Sequence, residues 1–528
     1  MNWQALYTAG AAALESGDYT RAEQFFRGIV EQDDRAHQAW NALSVVAVRQ
    51  GLPDVAAERA RQAVALDRRN PIYLNNLAVA YGELRRFEEA ETTFRRALKL
   101  KPVYAEGMFN LGKVLHKRGK LGESLRAYER AYVIDPEFPG LRVSLAQMYR
   151  QHGQLDKAMV VVRQAPGPMN ELLAILSAEC LAELEGPESA LAWIRKTTAE
   201  HADWRRMRAA MGEMLLSLGR WREGWKEYLL RPMPLAVGLG RPLSLPLRLD
   251  GKRVLLRSEQ GLGDVLFFLR FGPGLRERGA RISLICWPKL VPLLESSKAL
   301  DEVIDSRNPV DERPFDVMVW LGDLPVVLDS NAPASPVPLH CESGTLERIA
   351  RRLADLGPPP YLALTWRAGT DVVRQREFGN ARAALSKALP LIQLGQAVRN
   401  WPGTLVAFQR EPYPGEIEAV SNAAAKNIHD LSAMNDDLRQ MLAALSLIDE
   451  YVTVSNTNVH LLAGLGKTAR VLVPYPPDWR WMQSGANSPW FPGSPVYRQP
   501  RSRDWSAPFS TLRADLEARW SISSTARK

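Results

Sequence analysis

Apolar and small residues recur with a fixed spacing of 34 along the first part of the chain, which is the length of a two-helix repeat. One unit consists of Leu77, Ala78, Tyr81, Ala90, Phe94, Ala97 and Pro102. The next consists of Leu111, Gly112, Leu115, Ser124, Tyr128, Ala131 and Pro136. The register runs back through Leu43 and Ala56 to Ala22, and forward to Ala165. Small residues fall where two helices touch and large ones fill the gap, so the pattern predicts stacked helix pairs.

This pattern resembles the tetratricopeptide repeat. Two weaker pairs follow, one marked by Cys180, Gly186 and Ala190 and one spanning 204–232, so we predict an array over residues 1–232. The resemblance implies a superhelix whose groove binds an extended peptide of a protein partner. A rigid spacer or a dimerisation surface is the alternative.

Three asparagines fall on first helices of the predicted repeats, where residues that line the groove lie. They are Asn75, Asn76 and Asn110. An amide side chain can donate to and accept from a peptide backbone at once, so these residues are candidate acceptor contacts. They can equally be solvated surface.

Beyond a Pro- and Gly-rich linker at 233–250, the periodicity changes to short apolar runs that alternate with helical patterns. The runs are 253–257, 281–286, 315–320, 361–366, 404–409, 450–454 and 469–473. The helical segments are 264–278, 288–297, 388–399, 415–425 and 436–447. Such alternation predicts parallel sheets covered by helices. We therefore expect an α superhelix followed by two α/β halves, 251–340 and 358–515, and a tail at 516–528. The end of the chain, 504–520, is expected to form a helix on the first half.

The turn after the first of these strands reads QGLGD, with a helix expected to start near Asp264. Gly261 and Gly263 are expected to supply backbone conformations that other residues avoid. Asp264 has two explanations of equal merit. It can serve as a catalytic carboxylate at a strand–helix junction, or it can stabilise the positive end of the helix dipole. The turn lacks the third glycine of a dinucleotide fingerprint, which argues against a nicotinamide site.

The block from Ser258 to Pro288 resembles bacterial glycosyltransferases of the heptosyltransferase kind, and in particular proteins that fuse tetratricopeptide repeats to such a domain. The resemblance implies a GT-B fold of two Rossmann-like lobes. It also implies that Asp264 is the general base of an inverting transfer, with Gln260, Gly261 and Gly263 on the acceptor side.

The second half contains VSNTNVH, a strand end followed by the start of a helix. Free backbone N–H groups and the helix dipole favour an anion there, and a nucleotide diphosphate is the natural one. The candidate donor contacts are Ser455, Asn456, Thr457, Asn458 and His460. An ordinary helix cap and a packed core histidine are the alternatives. The family usually has an Asp-Thr near this point, and Ser455 stands at the Asp, which leaves the donor sugar open.

Further donor contacts are predicted at two other strand ends. Arg367, Gly369 and Thr370 follow one strand, and Gln409 and Arg410 end the next. Arg367 and Arg376 would neutralise a leaving phosphate, whereas Gln409 and Arg410 can equally be surface residues.

A segment at 477–491 contains three tryptophans, which either stack on a sugar or pack in the cleft wall. The stretch from Asn435 to Asp437 is read as a helix cap.

Composition narrows the classes of partner. The chain has 68 Lys and Arg against 59 Asp and Glu, a formal charge of +9, with no basic run that would indicate nucleic-acid binding. The three cysteines are scattered along the chain, which argues against disulfides and against a zinc site. This cysteine usage predicts a reducing compartment. With no signal peptide and no apolar run that could span a membrane, we expect a cytoplasmic protein. No metal and no cofactor are expected, since the nucleotide sugar is a substrate.

Together these features predict a glycosyltransferase that modifies a protein bound by the repeats, with flagellin or another surface protein as the acceptor class suggested by the resemblance. A repeat scaffold with a degenerate, non-catalytic transferase domain is the alternative from a different functional class. A third possibility keeps the enzyme but replaces the protein acceptor with a glycan or lipid.

Overall fold

The computed structural model describes residues 3–164, 170–231, 244–368 and 387–525. These residues fall into two compact units, Met1–Cys180 and Leu181–Lys528. Within the described ranges, no helix has both the length and the apolar content needed to cross a bilayer.

The described residues of the first part of the chain form helices joined by short turns, as the 34-residue spacing predicts. The helices α1 to α14 are Trp3–Glu15, Tyr19–Gln32, His37–Arg49, Pro53–Leu66, Pro71–Glu83, Phe87–Leu100, Ala105–Lys117, Leu121–Ile134, Leu141–Gln151, Leu155–Arg163, Glu171–Leu184, Pro187–Glu200, Arg205–Ser217 and Trp221–Tyr228. The first ten form five consecutive packed pairs.

The contact between the two helices of each pair is made by the positions that repeat. The residues at one position of the second helix are Ala22, Ala56, Ala90, Ser124 and Ala158, and all five have 0% exposed surface. Gly112 faces Tyr128, and a Cβ at Gly112 would lie 2.6 Å from that ring. The aromatic side chain thus fills the space that the glycine leaves, which is the small-against-large packing predicted from the sequence.

The turn inside each of these five pairs contains one residue in the left-handed region. The residues and their φ values are Gly17 (81°), Gly51 (73°), Arg85 (61°), Gly119 (73°) and Gly153 (71°). They are spaced by 34, like the core positions. Glycine adopts this conformation without steric conflict, whereas the Cβ of Arg85 comes too close to the backbone and strains the turn.

The α/β part contains two sheets whose strands are all parallel. The strands β1 to β10 are Arg253–Arg257, Arg281–Cys286, Glu302–Asp305, Val317–Trp320, Tyr361–Thr365, Thr404–Ala407, Ile428–Asp430, Glu450–Val454, Arg470–Val473 and Val496–Arg498. The first sheet has the order β3-β2-β1-β4 and the second β10-β9-β8-β5-β6-β7. The seven predicted apolar runs are strands, whereas the short strands β3, β7 and β10 were not predicted.

The remaining helices, α15 to α24, are Leu262–Leu269, Pro273–Glu277, Val291–Leu294, Leu324–Val327, Ser343–Leu356, Leu391–Ala397, Glu416–Ala424, Leu438–Leu447, Thr457–Gly464 and Ser506–Thr525. The helix predicted at 264–278 is two helices, because Pro273 lacks the N–H that a continuous helix needs and begins α16 instead. The helix expected at 288–297 is reduced to the single turn α17.

The last helix, α24, lies on the second sheet and not on the first, so that prediction is wrong. Its residues Phe509, Leu512 and Leu516 belong to a core formed by the outer face of the second sheet, with α20 and α21. Trp520 of α24 meets Trp401 edge to face, with ring centroids 4.9 Å apart. The helix pairs with this sheet because its apolar residues find an uncovered apolar face there.

A second core joins the first sheet, the other face of the second sheet, and the helix pair α13–α14. Trp225 of α14 is 1% exposed and meets Phe268, Trp479 and Trp490 edge to face. The predicted pair at 204–232 thus consists of the expected helices as far as residue 231, and its apolar face packs in the α/β core.

Candidate functional site

Asp264 lies on the third residue of α15, which begins at Leu262 and not near Asp264. Its Oδ2 accepts a hydrogen bond from the N–H of Gly261 at 3.2 Å. This is the reciprocal arm of a capping box, so the helix-stabilising explanation of Asp264 holds. It does not exclude chemistry, since the side chain keeps 32% of its surface exposed.

The two glycines of the turn do not serve the purpose expected from the sequence. Gly261 has a φ of −69°, and Gly263 is not among the residues with positive φ. A Cβ at Gly263 would instead lie 3.2 Å from Cδ2 of His460 and 3.6 Å from Cα of Thr457. Gly263 is therefore required for close approach between two helices rather than for an unusual backbone conformation.

This approach brings together the two motifs singled out in the sequence. Gly263 and Asp264 start α15, which follows the central strand β1 of the first sheet. Thr457 and His460 start α23, which follows β8 of the second sheet. Two helix N-termini, each at the carboxyl end of a parallel strand, thus meet at one place, which is where α/β proteins bind ligands.

The polar residues ahead of α23 form a cap with its own supports. Asn456 is the N-cap, and its side chain accepts from the N–H of Val459 at 3.2 Å and donates to Thr453 Oγ1 at 2.8 Å. Asn458 is buried and lies 3.4 Å from the Tyr451 hydroxyl. Ser455 and Thr457 are half-buried. The ordinary-cap explanation therefore applies to Asn456, while Ser455 and Thr457 stay partly accessible.

His460 packs edge to face against Phe267 and Phe491, with centroid distances of 6.0 and 5.2 Å. Burial lowers the pKa of its imidazole well below the usual range, and the nearby cations Arg480 and Arg270 lower it further. The ring is therefore neutral at pH 7. Its Nδ1 is buried and has no hydrogen-bond partner among the described residues.

Arg480 is the principal site residue that the sequence did not predict. Its Nη2 donates to Oδ1 of Asp264 at 2.5 Å, across 216 residues of chain. It lies in a 3-10 turn, Trp479–Trp481, inside the segment with three tryptophans. The only sequence signal was an arginine between two tryptophans, and that signal does not name its partner.

The tryptophans themselves are core residues. Trp479, Trp481 and Trp490 are 4%, 1% and 0% exposed, so none of them offers a face to a sugar. The packing alternative therefore fits the structure better than sugar stacking, and the segment also contains Arg480, which contacts Asp264.

The donor contacts predicted on the other strands of the second sheet are largely occupied within the protein. Gln409 is 1% exposed, and its Oε1 accepts from the N–H groups of Trp366 and Arg367 at 3.1 and 2.8 Å. The Arg367 side chain pairs with Glu416 at 3.0 Å. Arg410 is 46% exposed at its side chain. Gly369, Thr370 and Arg376 lie outside the described residues.

Helix α14 and the residues just after it hold the turn that carries Asp264. The Tyr228 hydroxyl donates to Gln260 Oε1 at 3.1 Å. Arg231 pairs with Glu259 through Nε at 3.1 Å and with Asp323 through Nη1 at 2.7 Å, and all three side chains are at most 6% exposed. Carboxylates raise the pKa of Arg231, although burial alone would lower it. The turn is thus fixed by a buried ionic cluster.

In the repeat array, the three candidate asparagines lie on two successive first helices, Asn75 and Asn76 on α5 and Asn110 on α7. Asn110 Nδ2 donates to Asn75 Oδ1 at 3.3 Å, and Asn76 Nδ2 donates to Asn41 Oδ1 at 2.8 Å. Asn75 has 0% exposed surface and donates to Glu106 at 3.2 Å, so its amide serves packing between helices. Asn76 and Asn110 are half-buried.

No group of three or more His, Cys, Asp or Glu side chains suited to hold a metal ion occurs among residues 3–164, 170–231, 244–368 and 387–525. The three cysteines are free.

Comparisons with known proteins include matches to the array and one that spans most of the chain. The tetratricopeptide repeat family model matches residues 41–99 and 75–140. The chain is 25% identical over 552 aligned residues to protein FlbA of Caulobacter vibrioides, covering 91% of this chain and 84% of FlbA. It is 28% identical over 152 residues to human protein O-mannosyl-transferase TMTC1, which is 28% of this chain and 17% of TMTC1.

Among solved structures, Pseudomonas aeruginosa PilF is 23% identical, with a TM-score of 0.34, and the match covers 38% of this chain and 92% of PilF.

The match of the family model agrees with the helix pairs α3 to α8 and with their buried positions spaced by 34. Residues 41–140 of the chain are therefore tetratricopeptide repeats.

Proposed function

We propose that the chain is an inverting, metal-independent glycosyltransferase that moves a sugar from a nucleotide-sugar donor to a hydroxyl of a protein. The array at 1–232 binds the protein acceptor. The segments 251–340 and 358–515 form the two Rossmann-like lobes of a GT-B fold, the first on the acceptor side and the second on the donor side.

In this proposal, Asp264 takes the proton of the acceptor hydroxyl as its oxygen bonds to the anomeric carbon. The bond from that carbon to the phosphate oxygen breaks, and the nucleotide leaves with the bonding electrons. The N-terminus of α23 receives the leaving phosphate through its free N–H groups and its dipole. Neutral His460 in its first turn can donate or accept a hydrogen bond but adds no charge.

One observation carries the proposal. Asp264 and the first turn of α23, which come from two different sheets, lie beside each other through the close approach of Gly263 to Thr457 and His460. A base and an anion-binding helix end are the two parts that metal-independent sugar transfer needs in one place. The similarity to a protein O-mannosyl-transferase and the presence of repeats are in keeping with a protein acceptor.

The test compares wild type with Asp264→Asn, which keeps the size of the side chain. Binding is measured as thermal stabilisation by a panel of UDP-, GDP-, ADP- and CMP-linked sugars, and turnover as release of the nucleotide. We expect Asp264→Asn to retain the stabilisation and to lose roughly 100-fold or more in turnover, the usual contribution of a general base. Equal loss of binding and turnover with a lowered melting temperature would assign Asp264 a purely structural role.

A repeat scaffold with a non-catalytic domain is the second candidate. It is favoured by the internal pairing of Arg367 with Glu416, which leaves this arginine neutralised, and by Ser455 at the position of the family's aspartate. For this candidate, no member of the nucleotide-sugar panel should stabilise the wild-type protein. Stabilisation by any of them counts against it.

A further inference from the structure

The carboxylate of Asp264 is held at both oxygens. Arg480 Nη2 donates to Oδ1 at 2.5 Å, and the N–H of Gly261 donates to Oδ2 at 3.2 Å. Two directed hydrogen bonds fix the plane of a carboxylate, while about four lone-pair sites leave room for another donor. Since a third of the Asp264 side chain stays exposed, a hydroxyl can still reach it.

Neighbouring residues hold most of the Arg480 side chain, although its buried Nε has no hydrogen-bond partner among the described residues. Its guanidinium lies 4.3 Å from the ring centroid of Trp479 and 4.8 Å from that of Phe267. Nη1 is 3.3 Å from Asp478, and the Asp478 carboxylate lies 3.6 Å from Lys387. The Arg480 carbonyl accepts from the Ser488 hydroxyl at 2.6 Å. Only 8% of the Arg480 surface is exposed, so the surrounding residues restrict its movement.

The charge state of this arginine is secure. Burial alone would lower the pKa of Arg480, but the carboxylates of Asp264 and Asp478 raise it above the usual value. A fixed positive charge therefore faces the carboxylate throughout any reaction. Such a charge needs no reorganisation during the reaction, because folding has already desolvated and oriented it.

We propose that Arg480 is a positioning residue that aims the Asp264 carboxylate at the acceptor hydroxyl. This rests on the proposed function, in which Asp264 is the base. When Asp264 takes the proton as the new carbon–oxygen bond forms, it becomes neutral and its attraction to Arg480 weakens. Loss of that proton to water restores the ion pair, so Arg480 also favours the return of the base to its ionised state.

The chain offers a matched control in Arg498, which holds the same loop without touching Asp264. Its guanidinium donates to the carbonyls of Met482 at 3.0 Å, Ser484 at 3.1 Å and Gly485 at 2.6 Å. Removing Arg498 loosens the loop that carries Arg480, and removing Arg480 also frees the carboxylate. The difference between the two variants isolates positioning from loop stability.

The experiment measures hydrolysis of the UDP-, GDP-, ADP- and CMP-sugar panel by the full chain, with water as acceptor, in Arg480→Ala, Arg480→Lys and Arg498→Ala. We expect Arg480→Ala to lower kcat by roughly 100-fold with KM nearly unchanged, since misplacing a reacting group by about 1 Å costs that much. Millimolar guanidinium should restore part of kcat in Arg480→Ala, and Arg480→Lys should keep more of it. Arg498→Ala should lower the melting temperature but reduce kcat less than threefold.

A double-variant cycle adds a second readout. In Asp264→Asn there is no base to aim, so adding Arg480→Ala should lower the residual rate by less than twofold. If instead the two losses multiply, or if Arg480→Ala and Arg498→Ala lose kcat equally and guanidinium restores neither, the positioning role is overturned. A wild-type chain that is neither stabilised by nor hydrolyses any member of the panel refutes the proposed function, and this inference with it. An active wild type with an unaffected Arg480→Ala refutes the inference alone.

Discussion

The buried cluster of Arg231, Glu259 and Asp323 allows a quantitative test of how the turn with Asp264 is held. Replacing Arg231 with Met leaves the two carboxylates buried without their cation. They are at most 3% exposed, and a Cβ at Gly322 would lie 2.6 Å from both Arg231 Nη2 and Glu259 Oε1, so the cluster is closely packed. Removing one partner of such a cluster costs about 3–5 kcal/mol.

The assay is guanidinium unfolding followed by tryptophan fluorescence. Of the 15 tryptophans, only Trp3 and Trp40 precede residue 181, so the signal reports on the unit from Leu181 onward. With a slope of about 4 kcal/mol per M for a unit of this size, the midpoint of Arg231→Met should fall by roughly 1 M. The slope itself should not change.

Arg222→Met provides the control on the adjacent helix. Arg222 pairs with Asp329 at 3.0 Å, but both side chains are more than half exposed, so the loss should stay below about 1 kcal/mol. Adding Glu259→Gln and Asp323→Asn to Arg231→Met should recover part of the stability, because the unpaired charges are gone. If Arg231→Met lost no more than Arg222→Met, the view that this cluster anchors the turn would be refuted.

Three further predictions concern the array and the helix contact. Glu91 is nearly buried among Lys120, Arg95 and Arg118; although burial alone would raise its pKa, these cations lower it to about 2. The ionised Glu91 therefore contributes about 1–3 kcal/mol of stability, which is complete above the ordinary pKa of 4.5 and is lost as the pH falls toward 2. In Glu91→Gln, hydrogen exchange in α6 and α8 should depend less on pH than in the wild type. Arg85→Gly should stabilise α5 and α6 by about 1 kcal/mol and slow their hydrogen exchange roughly fivefold, because glycine adopts the positive φ without strain. Gly119→Ala should destabilise the pair α7 and α8 for the same reason. Faster exchange in Arg85→Gly would contradict backbone strain at Arg85. Gly263→Ala should lower stability by about 1–3 kcal/mol in fluorescence-detected unfolding, because the new Cβ meets His460. Gly344→Ala in α19 is the control and should not destabilise, because nothing lies within 4 Å of its Cβ. An unchanged stability in Gly263→Ala would argue against the contact of α15 with α23.

Much of the secondary structure could be predicted because it depends on local periodicity. The spacing of 34 that links Ala22 to Ala158 predicted the helix pairs, and the structure shows those positions fully buried. Alternating apolar runs likewise predicted parallel strands. The short strands β3, β7 and β10 could not be predicted, since three or four residues carry too little pattern and depend on a neighbouring strand for their hydrogen bonds.

The candidate site was predicted only in part. Asp264 and the turn at 455–460 were found because glycines and short polar residues at a strand–helix junction are a local signal. Their contact through Gly263 and the pairing of Asp264 with Arg480 were not, because no local pattern connects residues 216 positions apart. The roles assigned to Asp264 and to the donor contacts stay predictions until turnover is measured.

The sequence alone determined the repeats, the parallel sheets and the strand–helix turns, since each follows from the residues within a few turns of chain. The tertiary structure decided everything that depends on which surfaces meet. It placed α24 on the second sheet, buried the three tryptophans, packed α13 and α14 in the α/β core, and set Arg480 against Asp264. Burial of apolar area and pairing of buried charges are properties of the whole unit, and these determined the partner of each element.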